Sequence, residues 1–366
     1  MIGVDGSRLG TPKRTGTENY SSEITRHLLR LDLPVRWRLY LNAGAGSDMN
    51  RNWSLRAETR PIPAPRLWTH ARLSAEMVHR PPDVLFVPSH VVPLLHPESV
   101  VTIHDLGYLR YPETHPPAQR RMLDLTTRWS ARVSRHIIVP SHATKDDLVQ
   151  AYDLDERKIT VIHHGVSDRF RSVPASAVQE LRTRLALPAR YVLTVGTLQP
   201  RKNVETLARA VAMVNSQGTD CTLVAAGKRG WLADEVLERL TALALGDRLR
   251  LLDYIDDGDL PALYAGASCY VQPSLHEGVG LPVVEAMSSA VPVLVSNASS
   301  LPEIAGSGAD VFGPGDADAL GNALQAVLSS PERAKEMAER ARRRSSHFSW
   351  QRAAEDTATV LLDQLG

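Results

Sequence analysis

Short apolar runs alternate with amphipathic stretches along most of the chain. In the first half the apolar runs predict strands at Ile2–Asp5, Val35–Leu41, Val84–Val87, Val100–Ile103, His136–Val139 and Ile159–Ile162. Between them, apolar positions recur at helical spacing over Thr17–Leu31, Pro117–Val133 and Ala143–Tyr152, with Thr17 the expected N-cap of the first. From Pro188 the rhythm starts again. Strands are expected at Tyr191–Val195, Cys221–Ala225, Leu249–Leu252, Ala267–Val271 and Val291–Val295. Helices are expected at Val204–Val214, Leu232–Leu245, Asp259–Ala265 and Leu281–Ser288, then an all-helical tail over 316–328, 331–344 and 350–365. Strand–helix alternation of this kind builds parallel sheets with helices on both faces. The expected class is therefore α/β, with two Rossmann-like, doubly wound domains facing a central cleft. The first spans 1–170, the second spans 171–349, and the stretch 166–187 links them.

The length of 366 residues fits two cores better than one. The strand pattern from Met1 leaves no signal peptide expected ahead of it, and no apolar run approaches the ~20 residues of a membrane span. Cys221 and Cys269 sit in apolar runs and read as two buried, reduced thiols, consistent with a cytoplasmic protein. The net charge of +1 hides an asymmetry: residues 1–175 carry 24 Lys+Arg against 18 Asp+Glu, a net +6. A basic front half suits peripheral contact with the cytoplasmic face of a membrane or an anionic acceptor; ordinary solvated surface is the alternative. Aromatic residues make up only 5% and no nucleic-acid motif is present, so no nucleic-acid partner is expected.

The chemistry concentrates in Ser274–Met287. Glu277 and Glu285 stand on either side of a glycine-rich turn, one in the loop and one a turn into the following helix. A strand, then glycines, then a helix start presents backbone N–H groups and the positive helix end to a ligand. Two acceptor-only carboxylates there suit a polyhydroxylated ligand. Gly196–Asn203 follows the first strand of the second unit, and its Arg201 fork and Lys202 point charge suit a diphosphate. His104-Asp105 closes an apolar strand, where His104 could bond a sugar hydroxyl or shuttle a proton. The loop Gly10–Thr17 lacks the G-x-G-x-x-G spacing and reads either as a phosphate-directed loop or as plain surface. The acidic run Asp253–Asp259 suits helix capping by Asp256 or Asp257 better than a metal, so no metal ligand is assigned. Arg340–Arg344 reads as the solvated end of a helix.

With these residues in place, the chain resembles the retaining GT-B glycosyltransferases of family 4, also called group 1. Glu277…Glu285 matches the family's E-x7-E motif inside a block running to Ser300-Leu301-Pro302-Glu303, and Gly196…Arg201-Lys202-Asn203, His104-Asp105 and Ser141 match as well. The run from His104 to His115 is most similar to a mannosyltransferase-like subgroup. The resemblance implies that Glu285 binds the ribose hydroxyls and Glu277 the donor sugar. Arg201 and Lys202 would hold the diphosphate and stabilise it as it leaves. Backbone N–H groups of Val279, Gly280 and Leu281 would meet sugar or phosphate, and His104 would face the sugar's C6 region. Gly16 would approach the diphosphate, Tyr254 and Ile255 would lie along the base, and the final helix, 350–366, would cross back to complete the first domain. Asp105, Gly196 and Gly278 complete the substrate set, and His104, Glu277, Arg201 and Lys202 form the catalytic group. Val279 departs from the family's usual Phe or Tyr, and His163-His164 stands where relatives often have Pro-Asn.

The reaction so implied is transfer of a hexose, mannose favoured, from a nucleoside-diphosphate sugar to a glycan or lipid-linked glycan. GDP-mannose is the first donor expected and a UDP-sugar the second, with no further cofactor required. A sugar-nucleotide epimerase or phosphorylase, or a non-catalytic nucleotide-sugar-binding protein, remains the alternative. Glu277→Ala is expected to abolish transfer while leaving the fold intact.

Overall fold

Seven short strands form the first sheet of the protein, seen in a computed structural model that describes residues 1–9, 15–42, 56–64 and 67–365. They are β1 (Ile2–Asp5), β2 (Trp37–Leu41), β3 (Glu58–Pro61), β4 (Val84–Val87), β5 (Glu98–Thr102), β6 (His136–Val139) and β7 (Ile159–Val161). Their order is β3-β2-β1-β4-β5-β6-β7, every pair parallel. β1 and β4 are buried at every position, as strands covered on both faces must be. The strand order reverses between β1 and β4, and the strand C-termini there open the crevice where such sheets take ligands.

The second sheet holds β8 (Tyr191–Val195), β9 (Thr222–Ala226), β10 (Leu249–Leu252), β11 (Cys269–Gln272), β12 (Val293–Ser296) and β13 (Asp310–Phe312). Its order is β10-β9-β8-β11-β12-β13, again wholly parallel, with the reversal between β8 and β11. Val192, Leu223, Val271 and Leu294 meet the helix Val204–Ser216 through Leu207 and Val211 in one core. Both doubly wound sheets are thus of the expected α/β class.

The chain divides into two compact units. The first comprises Met1–Leu106, Ala118–Gly165 and Ser349–Gly366; the second comprises Gly107–Pro117 and Val166–Phe348. The last helix, Trp350–Asp363, packs on the helix Gly16–Leu28 of the first unit. Gly165 makes that return tight, because a Cβ there would lie 2.0 Å from the Trp350 backbone nitrogen. The segment 107–117 is fastened within the second unit by Trp231, whose Nε1–H donates to the Thr114 carbonyl at 2.5 Å while its ring lies 4.9 Å from that of His115.

Several local expectations change. β3 and β13 were not expected: β3 carries Glu58, Arg60 and Pro61 at a sheet edge and β13 has three residues, so neither shows an apolar run. The first helix begins at Gly16, and its N-cap is Thr15 rather than Thr17, with the Glu18 carboxylate accepting the Thr15 N–H at 3.0 Å. In the acidic run, Asp259 occupies the cap position and its carboxylate takes Arg184 at 2.6 Å, so Asp256 and Asp257 are not the caps. Arg340 and Arg344 are not simply solvated. Arg344 donates to the carbonyls of Ile304 and Glu303 at 3.0 and 2.8 Å, closing the helix Leu301–Ala305, and Arg340 pairs with Asp310 at 2.8 Å. Cys221 and Cys269 are buried free thiols, and burial pushes Cys221 up to about 11.

Candidate functional site

β8 ends at the order reversal and hands the chain to Gly196 and then to a single 3-10 turn, Pro200–Lys202. Asn203 closes that turn in the left-handed region at φ 51° and fixes it by donating to the Pro273 and Pro314 carbonyls at 3.0 and 2.6 Å. Asn tolerates this conformation better than most residues, which explains its place after the basic pair. Leu275 N–H then donates to the Arg201 carbonyl at 2.9 Å, and the Arg201 guanidinium donates to the His276 carbonyl. The two loops of the reversal are thereby locked together. Gly227, at φ 146° beyond β9, allows the Gly196 backbone to pass: a Cβ there would sit 2.0 Å from the Gly196 oxygen.

Glu277 lies at the centre of this lock. Lys202 Nζ stands 2.5 Å and Arg201 Nη1 3.7 Å from its carboxylate, while Gln272 Nε2 and Ser274 Oγ donate to it at 3.0 and 2.6 Å. Its own carbonyl accepts the hydroxyls of Ser299 and Ser300 at 2.8 and 2.9 Å. Burial alone would raise the carboxyl, but the Lys202 and Arg201 charges outweigh it and hold Glu277 below the usual range. Glu277 is an anion held by two cations and two neutral donors. The next residues, Gly278, Val279, Gly280 and Leu281, are buried, and Gly280 takes φ 71° as N-cap of the helix Leu281–Ser288. The positive φ favours glycine there, and a Cβ would also press on the tip of the Leu301 side chain at 2.8 Å.

Glu285 sits in that helix under different conditions. It is buried, and the Tyr264 hydroxyl donates to it at 2.9 Å. Burial raises its pKa to about 7 against that hydrogen bond and the more distant Arg169 charge. A raised carboxylic acid is half-neutral near pH 7 and needs a hydroxyl donor to favour its charged form. Nucleotide affinity is accordingly expected to strengthen more steeply from pH 6 to 8 in the wild type than in Glu285→Gln, which keeps only the titration of the nucleotide's own terminal phosphate. Calorimetric titration of GDP and UDP checks this, and equal slopes in the two proteins would exclude the assignment.

A pocket beside the basic turn is lined by Gly196, Lys202, Gly227, Arg229 and Asp253, at the ends of β8, β9 and β10. Tyr254 and Ile255 follow Asp253 directly and are partly exposed. The structure therefore brings Arg201, Lys202 and Glu277 into direct contact and sets Gly196 against Lys202, whose Cε would be 3.3 Å from a Cβ at that glycine. Tyr264 and Gln272 escaped the sequence reading. Tyr264 lies in an apolar helix pattern, and only its place one hydrogen bond from Glu285 reveals it.

The first unit carries the other expected residues. Gly16 is exposed at the start of its helix with nothing within 4 Å of a Cβ placed on it. Of the loop Gly10–Thr17, residues 10–14, including Lys13 and Arg14, lie outside the described residues. His104 and Asp105 follow β5, and the His104 ring lies edge-on to Tyr20 at 4.9 Å. Burial, then the neighbouring His90, lowers the His104 pKa to about 3 against the Pro88 carbonyl and Asp105. Burial thereby favours the uncharged ring at neutral pH. His164 stacks between Tyr20 and Trp350, with centroids 4.3 and 5.8 Å away, and His163 meets the Pro140 carbonyl at 2.9 Å, so both serve the fold.

Comparison with known proteins agrees with this geometry. The family model described as Glycosyltransferase Family 4 matches residues 14–170, and that described as Glycosyl transferases group 1 matches residues 179–344. The chain is 31% identical over 273 residues to the O-antigen chain mannosyltransferase B of Escherichia coli, spanning 74% of this chain and 71% of that protein. It is 26% identical to the O-antigen chain mannosyltransferase RfbU of Salmonella typhimurium, spanning 66% of this chain and 64% of that one. Its fold matches sucrose-phosphate synthase from Thermosynechococcus elongatus with a TM-score of 0.79 at 21% identity, covering 99% and 98% of the two chains. It also matches Anabaena HepE, solved in complex with UDP and glucose, with a TM-score of 0.78 at 20% identity and 99% of both chains covered. The two parallel sheets are those of the GT-B fold, and the chain belongs to the family 4, group 1 glycosyltransferases.

Proposed function

We propose that this glycosyltransferase moves mannose from GDP-mannose to a glycan or lipid-linked glycan, with retention of anomeric configuration and a UDP-sugar as the second choice of donor. The observation that carries the reading is the Lys202–Glu277–Arg201 triad at the order reversal of the second sheet. Two fixed cations there suit a departing diphosphate, the usual source of electrostatic catalysis. In this reading Glu285 takes the ribose, Glu277 the sugar hydroxyls, and Tyr254 and Ile255 the base. The N–H groups of Val279, Gly280 and Leu281 meet sugar or phosphate at a helix start, and His104 contributes a hydrogen bond to the sugar. Asp105, Gly16, Gly196 and Gly278 complete the substrate contacts.

No nucleophile is assigned, because both glutamates are engaged in binding. The bond from the anomeric carbon to the diphosphate oxygen breaks, the acceptor oxygen bonds on the same face, and the leaving phosphate takes the acceptor's proton. The mannose preference draws on the relatives named O-antigen chain mannosyltransferases, and the UDP alternative on the HepE complex. A thermal-shift panel of GDP-, UDP-, ADP- and dTDP-sugars tests the donor, since a bound ligand raises the melting temperature by mass action. GDP-mannose is expected to give the largest shift; no shift with any of them contradicts the reading.

A lipid-linked acceptor would bring the chain to a membrane surface, and one helix suits that contact. On Pro117–Val133, Met122, Leu125 and Trp129 are exposed along one face, with exposed Arg121 and Arg132 beside them. Among the described residues no helix is long and apolar enough to cross a membrane. Sedimentation with anionic vesicles that is lost in Leu125→Glu would support surface contact, and equal sedimentation of both forms would oppose it.

A further inference from the structure

We propose that His90 is a positioning residue for sugar transfer, holding His104 in place through a neutral ring whose proton sits on Nδ1. The inference rests on the assignment of His104 to the sugar and goes beyond it in naming what fixes that residue. His90 lies three positions after β4, on the strand next to β1 at the order reversal of the first sheet, and His104 lies two positions after β5. The backbone N–H of His104 donates to His90 Nε2 at 2.9 Å. A ring nitrogen that accepts has its lone pair free, so in the neutral ring the proton must reside on Nδ1. That Nδ1 is buried and, among the described residues, has no hydrogen-bond partner. A glutamine or asparagine would accept the same N–H, so the orphaned donor is the mark of a ring held in one tautomer for another residue's sake.

The same loop also sets the His104 ring. Its Nε2 lies 3.0 Å from the Pro88 carbonyl, which can only accept, so this nitrogen carries the proton and Nδ1 keeps a lone pair. Thr144 Oγ1 donates to the His104 carbonyl at 3.4 Å. The loop Pro88–His90 thus grips both the backbone and the ring of His104, and presents it as a fixed acceptor for a hydroxyl. Protonation of His90 would place a second N–H against the His104 N–H and replace attraction by repulsion. Burial opposes that protonation most, the Asp105 carboxylate favours it, and the Arg8 charge opposes it, with a net pKa below the ordinary histidine value. Among the described residues the His104 ring also faces it, 5.3 Å away.

The test compares wild type, His90→Gln and His90→Leu over pH 5–8, reading kcat/KM for the sugar nucleotide. Leucine, which cannot accept the N–H, is expected to lower kcat/KM by about tenfold or more across the range. Glutamine is expected to restore it to within about threefold at pH 8 and to flatten part of the acid limb, because its acceptor does not titrate. A structural role alone would leave that limb unmoved. Full activity in His90→Leu, or an unchanged acid limb in His90→Gln, overturns the proposal. Independently of turnover, ring-nitrogen NMR of the wild-type chain, with His90 assigned by its loss in His90→Gln, must show a neutral Nδ1–H tautomer. The Nε2–H tautomer overturns the proposal even if transfer behaves as expected. Absence of turnover in the wild type, by contrast, rejects the transfer reading, while the NMR result still decides whether His90 is the acceptor.

Discussion

Replacing Glu277 by alanine is expected to abolish sugar transfer and to lower the free energy of unfolding by about 3–5 kcal/mol, the usual cost of removing one partner from a buried ion pair. The loss of fold stability follows from what the carboxylate touches. Lys202, Gln272 and Ser274 donate to it, the Arg201 charge lies 3.7 Å away, and the side chain is only 9% exposed. Alanine leaves two cations facing each other in a buried site with their counter-charge gone. This loss of stability stands beside the expectation from sequence that the fold itself is kept. Glu277→Gln keeps the volume and loses the charge, so it separates the two effects: transfer falls while less stability is lost. The pH dependence has a definite sign. Because its folded pKa is depressed, Glu277 stabilises the native state above the unfolded carboxylate value near 4.5 and loses that contribution as pH falls through its folded pKa. Denaturant unfolding of the wild type and both variants at pH 7 and pH 4 checks the account, which fails if Glu277→Ala unfolds at the wild-type midpoint.

Lys202→Ala is expected to reduce kcat/KM by about 10²–10³, in the range seen when one fixed donor to developing negative charge is removed. Lys202 is the less constrained of the two cations, because among the described residues its ammonium is held by the Glu277 carboxylate and can turn toward a diphosphate. Arg201 is tied by its guanidinium to the His276 carbonyl and by its own carbonyl to the Leu275 N–H, so Arg201→Ala is expected to cost stability as well as rate. Arg201→Lys should not rescue it, since the fork geometry is what spans the two loops. Steady-state kinetics paired with thermal unfolding distinguishes the residues. A rate for Lys202→Ala within tenfold of wild type would remove Lys202 from the diphosphate site.

The parts of the architecture that were legible in the sequence are those where apolar runs report burial. β1, β4 and β8 fall where their Ile, Val and Leu residues place them, because strands covered on both faces have no polar side to blur the pattern. Glu58–Pro61 and Asp310–Phe312 carry no such signal, one being polar and the other only three residues long, whereas the edge strands β7 and β10 keep apolar runs. The glycine-rich turn and its carboxylates were legible because their residue types are demanded by chemistry and by backbone conformation together, as Gly280 illustrates. What stayed hidden depends on tertiary placement. Tyr264 beneath Glu285, Gln272 and Ser274 around Glu277, and His90 behind His104 are ordinary residues until the fold brings them within a hydrogen bond. Trp231 is similar: its contact with Thr114 and His115, with that of Tyr111 on His276, shows that 107–117 folds with the second unit.

The central claim is that this chain carries a hexose from a nucleoside diphosphate to an acceptor with its anomeric configuration kept. The most direct measurement is proton NMR of the first product formed from GDP-α-mannose and a lipid-linked glycan acceptor. An α-linked mannosyl residue, formed together with GDP and absent with Glu277→Gln, is the result predicted. A β-linked product, or free mannose as the only sugar released, would contradict it.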